Sequence, residues 1–365
     1  MGDLIRTTAE LEAACAQCRT DGILSLDTEF VWKRTYRPQL GIVQMGCRAS
    51  CWAVDCRASV DTTPLKTAVE DASVVKILHD ARQDLMHIHH WTGAAPRKVF
   101  DTQLAAAFAG FPGGIGLQKL LFEAIDVGLP KTETCTDWTQ RPLSDAQVRY
   151  ALDDVRYLPA LRDELLSRSE GLGTRAWLEE DLLKYEDESH YLDYDPETVW
   201  KRIKTRRVRL DGLGRAVLKT VASLREELAR KLNLPRNWLG DDDSLVRMAE
   251  GRRVAHLVHR LHGGQGDTIR GLYAQSIEDA LKIPEAEWPE DARRHYIPEV
   301  LDAADEAVAW LAERAAELHV DAGTIASRAT VTAFVDDTED ESNPLATGWR
   351  WDVVGADMAE RFGVA

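Results

Sequence analysis

No stretch of this 365-residue sequence approaches the ~18 consecutive apolar residues that a membrane helix requires. The first residues, MGDLIRTTAE, lack a basic region followed by an apolar run, so no signal peptide is expected. Cysteine is scarce, with six residues at positions 15, 18, 47, 51, 56 and 135, and their spacing makes no disulfide framework. Cys15 and Cys18 form a CxxC, but it lies in a helix-like run (TAELEAACAQC) with no second pair at zinc-finger spacing. Buried or idle thiols are expected there rather than a metal site, and a reducing cytoplasm fits. Positive charge is also in deficit: 45 Lys and Arg stand against 61 Asp and Glu, a formal net charge of −16. That balance argues against a wholly basic nucleic-acid coat protein. It leaves open an enzyme acting on nucleic acid, for which the position of the charges matters. No internal repeat is visible.

What is present describes a globular protein, with 44% hydrophobic and 29% charged residues. The length suggests two or three domains. Charge is unevenly spread. Residues 1–150 are nearly balanced, 151–200 hold 5 basic and 14 acidic side chains, 201–250 hold 13 and 7, and 301–365 hold 4 and 14. One island of +6 therefore sits in an acidic chain. Strands are expected at 22–30, 40–47, 51–55, 74–79 and 97–100, with helices at about 62–71 and 81–91 and an Ala-rich helix from 101. A meander followed by alternating strands and helices predicts a mixed α/β sheet. From Ser144 onward the pattern is almost wholly helical. Two linkers stand out, the acidic 186–196 and the proline-rich 284–298, and a third acidic loop lies at 336–344. The expected parts are an α/β domain at 1–185, a helical domain at 195–283 and a smaller helical region at 298–365.

Asp27 and Glu29 sit two apart on an expected strand, so both side chains leave the same face. Two carboxylates there repel unless a cation or proton lies between them, and the surrounding SLDTEF is otherwise apolar. The alternative is a strand that ends near Asp27, leaving the pair solvated. Asp84 follows the strand KILH and opens the helix DLMHIHHW; alone it reads equally as a cap or dipole partner. Tyr150 and Asp154 lie one turn apart on one face of the helix SDAQVRYALDDVRYLPAL, with Asp153 rotated about 100° away. Alone they read as a half-buried aromatic and a surface charge. Ser144 is an N-cap candidate with Gln147 at the capping-box position. Four carboxylates and a phenol suit a site for two hard divalent cations, and such a pair can clamp the attacking and leaving oxygens of a phosphoryl displacement. The Tyr150 hydroxyl is a candidate to orient the attacking water.

In family order, the stretches LDTEFVWKRTYRPQLGIVQMG, ILHDARQDL and YALDDV resemble the three exonuclease motifs of the ribonuclease D family, the last in its Tyr-x-x-x-Asp (DEDDy) form. VFDTQ at 99–103 and DWTQRPLSDAQ at 137–147 are further similar stretches. The resemblance implies an RNase H-like mixed-sheet α/β exonuclease domain that removes nucleotides from a 3′ end. It implies that Asp27, Glu29, Asp84 and Asp154 hold two Mg²⁺ or Mn²⁺ ions while Tyr150 positions the water. The substrate it implies is RNA with a free 3′ end, such as a tRNA precursor or another structured RNA. Phe30 is a candidate to wedge or stack on the terminal base, or else a core aromatic; His79 is a candidate substrate contact, or else a loop histidine. A DNA 3′→5′ exonuclease of the same superfamily is the alternative among enzymes. A catalytically silent nucleic-acid-binding or scaffold protein is the alternative outside them, and the complete set of five residues argues against it.

Residues 195–283 resemble the HRDC domain, and 298–365 resemble a second HRDC-like module through GWRWDVVGADM at 348–358. All-α modules are thus expected after the catalytic domain. Leu213, Val217, Leu224, Leu228 and Leu232 recur at helical spacing and predict an amphipathic core helix, with Asp241–Asp243 and Ser244 starting the next. Lys201, Arg202, Lys204, Arg206, Arg207 and Arg209 form the centre of the +6 island beside Trp200. They suit salt-dependent phosphate contacts, or else they pair with the acidic stretch 186–197. His256, His259 and His262 read as a polar helix face rather than a zinc site, and His87, His89 and His90 as part of an amphipathic helix.

Overall fold

The computed structural model describes residues 4–129, 136–205, 208–254, 264–291 and 295–364. Arg206, Arg207, the His256, His259 and His262 series and Cys135 lie outside the described residues. Six strands form one sheet among these residues: β1 (Leu4–Ile5), β2 (Ile23–Val31), β3 (Gln39–Gly46), β4 (Cys51–Asp55), β5 (Val75–Leu78) and β6 (Val99–Asp101), in the order β1-β4-β3-β2-β5-β6. β3 and β4 are antiparallel, whereas β1–β4, β2–β5 and β5–β6 are parallel. The mixed sheet is the one expected from a meander followed by strand–helix alternation.

Helices α1 (Thr8–Asp21), α2 (Thr63–Glu70) and α3 (Ala81–Thr92) cover one face. Their apolar side chains pack with Leu24, Leu26, Val43, Met45 and Val54. Cys15 and Cys18 are buried in this layer, and burial pushes both thiols upward. The other face is covered by α4 (Thr102–Phe108), α5 (Leu117–Ile125), α6 (Asp145–Arg156), α7 (Leu158–Leu172) and α8 (Arg175–Leu182). Ile23, Ile77 and Phe100 pack with α4, α5 and α7, while Ile42 and Ala53 pack with Ala151 and Leu152 of α6.

Contacts divide the chain into two compact units where three parts were expected from the linkers. One holds residues 1–31, 40–192 and 296–365; the other holds 32–39 and 193–295. Among the described residues the C-terminal helices have no core of their own. Leu311 of α12 (Pro298–Glu317) and Phe334 and Val335 of α14 (Arg328–Asp336) join the same cluster as Ile77, Phe108 and Leu161; α13 (Ala322–Ile325) lies between them in the chain. The GWRW signature explains the anchorage. Trp349, in α15 (Gly348–Arg350), stacks on Trp177 of α8 at 5.1 Å between ring centroids, and Arg350 makes a bidentate pair with Asp181 at 2.6 and 2.8 Å. A π-helical turn, Trp351–Gly355, leads into α16 (Ala356–Phe362).

The second unit packs α9 (Gly212–Leu232), α10 (Asp242–Gly251) and α11 (Gln265–Ala280) around one core. α10 begins where the sequence placed it, with Asp241 accepting the Ser244 amide at 2.8 Å. The inward stripe of α9 differs from the leucine series. Val217, Val221, Ala222 and Ala229 are buried, Leu232 is 44% exposed, and Arg225 and Glu226 are buried among them. These two charges are paired inside the unit, Arg225 with Asp242 and Glu226 with Arg230 and Arg236. A reading that counts charged residues as outward therefore rotates the stripe. Residues 32–39 belong here because Tyr36 is buried in this core.

If the C-terminal helices share the α/β core, Phe334→Ala is expected to cost about 3–5 kcal/mol, as for a large aromatic removed from a close-packed site. The loss is expected in one transition that also speeds amide exchange in β5 and α7, a result that an autonomous C-terminal domain would not give.

Candidate active site

Strand alternation sorts the residues of β2 between the two layers. Ile23 enters the α7 side and Leu24 and Leu26 the α1–α3 side. Asp27 and Glu29 therefore leave the face covered by α6, and Thr28 leaves the other. β5 pairs with β2 only at Ile23, Leu24 and Ser25, and it ends at Leu78. The distal half of β2 thus runs past its neighbour and is free to face the start of α3.

α6 brings the next two groups. Ser144 accepts the Gln147 amide at 3.2 Å while the Gln147 side chain accepts the Ser144 amide at 2.8 Å, the expected capping box. Ala151, Leu152 and Val155 are buried, which turns Tyr150 and Asp154 toward the sheet. Asp153 points aside and pairs with Arg156 at 3.1 Å. One carboxylate oxygen each from Asp27, Glu29 and Asp154 lies within 4.8 Å of the others. Asp84, in the first turn of α3, approaches from the opposite layer and stands outside this trio. Its Oδ1 accepts a 2.5 Å hydrogen bond from the Thr28 hydroxyl, and Thr28 in turn lies 3.1 Å from His87 Nδ1.

The electrostatics follow from burial and mutual repulsion. Asp27 is held well above the usual carboxylate range by burial, then by the charges of Asp84, Asp154 and Glu29. Burial with Asp154 and Asp84 pushes Glu29 up to about 8. Burial with Asp153 and Asp84 pushes Asp154 up to about 7. Asp84 rises to about 7 through burial, against the opposing hydrogen bond from Thr28. Tyr150 is pushed up to about 12 by burial, then by Asp154, Glu29 and Asp27. Such a cluster wants positive charge, and its all-oxygen donor set suits a hard divalent cation.

Several supporting residues were not singled out by sequence. Gln44 on β3, wholly buried, donates to Asp27 Oδ2 at 3.2 Å. Asp101 accepts the backbone amides of Asp80 and Ala81, both at 3.0 Å, so it fixes the start of α3 that Asp80 itself does not cap. Arg141 clamps Asp55 and donates to the Trp138 and Gly41 carbonyls, both at 2.8 Å. Trp138 lies against Tyr150 with ring centroids 6.2 Å apart. A Cβ on Gly41 would stand 2.4 Å from the Trp138 carbonyl oxygen, so only glycine lets strand and loop meet this closely. Gln44, Asp101 and Arg141 all lie within motif-like stretches, but their types alone point to no chemistry.

Phe30 is half-buried and packs edge-on to His87 at 4.2 Å. His79 lies 2.9 Å from Thr102 Oγ1, with Asp101 and Asp80 as its charged neighbours. In the other unit Lys201, Arg202, Lys204 and Arg209 are exposed. The acids expected to neutralise them are engaged elsewhere: Glu186 with Arg97, Asp193 with Arg37 and Glu197 with Lys219.

A family model described as a 3′-5′ exonuclease matches residues 3–170, which span this whole site. Ribonuclease D of Zymomonas mobilis is 33% identical over 362 residues, covering 96% of this chain and 92% of that protein. The chain belongs to the ribonuclease D family. Ribonuclease D of Desulfotalea psychrophila is 40% identical over 248 residues, covering 68% of this chain and 66% of that protein. The crystal structure of Escherichia coli RNase D, an exoribonuclease involved in structured RNA processing, superimposes with a TM-score of 0.86 at 25% identity, covering 99% of both chains. Membership makes this chain a 3′→5′ exoribonuclease, with the mixed-sheet exonuclease domain and helical C-terminal part that the resemblance implied.

Without a cation the cluster opposes folding as pH rises. In the unfolded chain these carboxyls lose their protons near pH 4, whereas the folded protein holds some up to about 7 or 8. Stability in EDTA is therefore expected to fall from about pH 4 to about pH 8. Asp27→Asn is expected to flatten that fall and raise the melting midpoint at pH 8; relief of about 1 kcal/mol corresponds to about 2–4 °C. Thermal melts in EDTA across this range check both, and a variant melting lower than the parent would contradict the repulsion.

Proposed function

We propose that this chain trims RNA one nucleotide at a time from the 3′ end with divalent-metal assistance, acting in the cytoplasm on structured RNAs such as tRNA precursors. The observation carrying this reading is the convergence of Asp27, Glu29 and Asp154 within 4.8 Å, with Asp84 at their edge. These residues would hold two Mg²⁺ or Mn²⁺ ions, which when bound supply Lewis-acid stabilisation of charge on the phosphoryl oxygens and acidify a bound water.

The remaining work falls to the protein. Gln44 fixes the orientation of Asp27, and the Thr28 hydroxyl holds one oxygen of Asp84 in place. Tyr150 orients the attacking water. Its raised pKa, about 12, keeps the phenol protonated as a hydrogen-bond donor at neutral pH. Phe30, backed by His87, offers a ring on which the terminal base stacks. Lys201, Arg202, Lys204 and Arg209 bind phosphates of the RNA.

The deciding experiment is a time course on a 3′-tailed tRNA and a matched DNA oligonucleotide, each with Mg²⁺, Mn²⁺ or EDTA. Mononucleotide release from the RNA 3′ end, abolished by EDTA, is expected. Asp27→Asn and Asp154→Asn are each expected to remove hydrolysis while the fold survives; a variant that digests 3′-labelled RNA at the parent rate would refute the metal assignment. Tyr150→Phe is expected to lower kcat by about 10²–10⁴-fold with little change in KM, within the range of a lost general acid–base or orienting group.

For single-stranded substrates each phosphate contact contributes about 0.7 to the slope of log K against log salt. Neutralising Lys201, Arg202, Lys204 and Arg209 together is therefore expected to reduce that slope by up to about 3. An unchanged slope would exclude these side chains from the RNA path.

A further inference from the structure

The second unit carries an open cleft of about 600 Å³ between residues 32–36 and 235–238. Its size lies in the range of small-ligand and nucleotide pockets, about 300–1,000 Å³. Two tryptophans line it, Trp32 and Trp238, and Trp32 is 59% exposed. Lys33, Arg34 and Arg236 line it too, with the Asn237 amide, and no carboxylate belongs to the lining. Three cations and two indoles with no acid make an unusual wall in a chain of net charge −16.

Both walls are built on one buried network. Tyr36, 7% exposed, donates its hydroxyl to Glu226, itself 1% exposed. Arg236 donates to the same Tyr36 oxygen at 2.9 Å and to Glu226 at 2.5 Å. The Tyr36 amide donates to Asn233 Oδ1 at 3.2 Å. Residues 32–36 and 235–238 are thereby held in register from beneath, while Trp32 and Arg34 remain at the surface. Arg34 is exposed, is in no ion pair among the described residues, and has φ of 55°. The cleft is linked to the basic cluster through Tyr194, whose ring centroid is 5.1 Å from Arg236 and 3.9 Å from Arg202.

We propose that this cleft binds a single-stranded segment of the RNA substrate, one base stacking on Trp32 and a neighbouring base on Trp238 while flanking phosphates meet Arg34 and the outer edge of Arg236. Indole faces accept any base, and the cations follow the backbone, so the site is sequence-tolerant. It rests on the exoribonuclease reading for its choice of ligand. The fixed floor supplies what a stacking platform needs, since a ring held in place loses little conformational freedom on binding.

The test uses full-length protein in EDTA, a 5′-fluorescein U12 strand, and a duplex RNA of equal length. Binding is followed by anisotropy and by tryptophan emission. Quenching of parent emission by U12 is expected. Trp32→Ala and Trp238→Ala are each expected to weaken U12 binding by about 5- to 150-fold, the range for loss of one stacked base. Trp32→Phe, which keeps an aromatic face at an exposed position, is expected to recover most of the loss. Arg34→Asn suits the left-handed backbone and is expected to lower the salt slope by about 0.7. Parent-like affinity in Trp32→Ala and Arg34→Asn overturns the proposal, and so do equal losses on the duplex. If the parent hydrolyses no RNA yet U12 binding depends on Trp32, the catalytic reading fails and the cleft stands; hydrolysis by the parent with U12 binding indifferent to all three positions gives the reverse.

Discussion

Like charges held a few ångströms apart in a half-buried place are unstable on their own, and much of the first unit exists to keep four of them there. Asp27 and Glu29 cannot relax away from each other because both leave the same face of one strand, β2, which β3 and, over Ile23–Ser25, β5 hold in the sheet. Asp154 cannot swing out without carrying α6, which Ala151, Leu152 and Val155 bury against the sheet. The start of α3 is fixed by Asp101, which accepts two of its free backbone amides and also the Tyr185 hydroxyl. Each restraint spends fold stability to hold a repulsive arrangement that only a cation or a proton can relieve.

The asymmetry of Asp84 follows from the same geometry. Strand parity gives Asp27 and Glu29 to one layer and Thr28 to the other, so a fourth carboxylate arriving from α3 meets Thr28 before it meets the trio. Thr28 is bonded to both Asp84 and His87, and His87 supports Phe30. One hydroxyl thus connects the placement of a carboxylate to the placement of an aromatic ring. Burial pushes His87 down to about 4, so it is neutral at physiological pH and its ring adds no cation that would compete at the site.

Much of this was legible because it depends on period and chemical type. A two-residue period placed Asp27 with Glu29, and a helical turn placed Tyr150 with Asp154 while sending Asp153 to Arg156. The capping box at Ser144 needs only local residues and was equally readable. Groups acting across the fold were not. Gln44, Asp101 and Arg141 support the site through partners 17, 21 and 86 residues away in sequence, and no local pattern marks such a partner. The division of the chain misled for a related reason. The proline-rich stretch at 284–298 reads as a linker, yet the helices beyond it return to the first core through Trp349, Arg350 and Phe334. The leucine stripe on α9 misled because Arg225 and Glu226 are buried with partners, which is the condition under which a charge can face inward.

A net charge of −16 on a protein that handles a polyanion is resolved by location. Many acids in the 151–200 stretch are paired within the fold: Asp163 with Arg48, Glu164 with Arg168, Glu179 with Arg175 and Asp181 with Arg350. Asp154 instead faces the site with Asp27 and Glu29, where a bound divalent cation would offset their charge. A few cations of the second unit differ from this pattern. Lys201, Lys204, Arg209 and Arg34 stay exposed, and the nearby acids in sequence, Asp193 and Glu197, are held by Arg37 and Lys219. Neutralising a polyanion requires side chains that are not already neutralised, so the count that matters for RNA is the unpaired charge on each surface rather than the sum over the chain. By that measure Lys201, Lys204, Arg209 and Arg34 count toward a polyanion, whereas charges already paired within the fold, such as Arg48 and Arg225, do not.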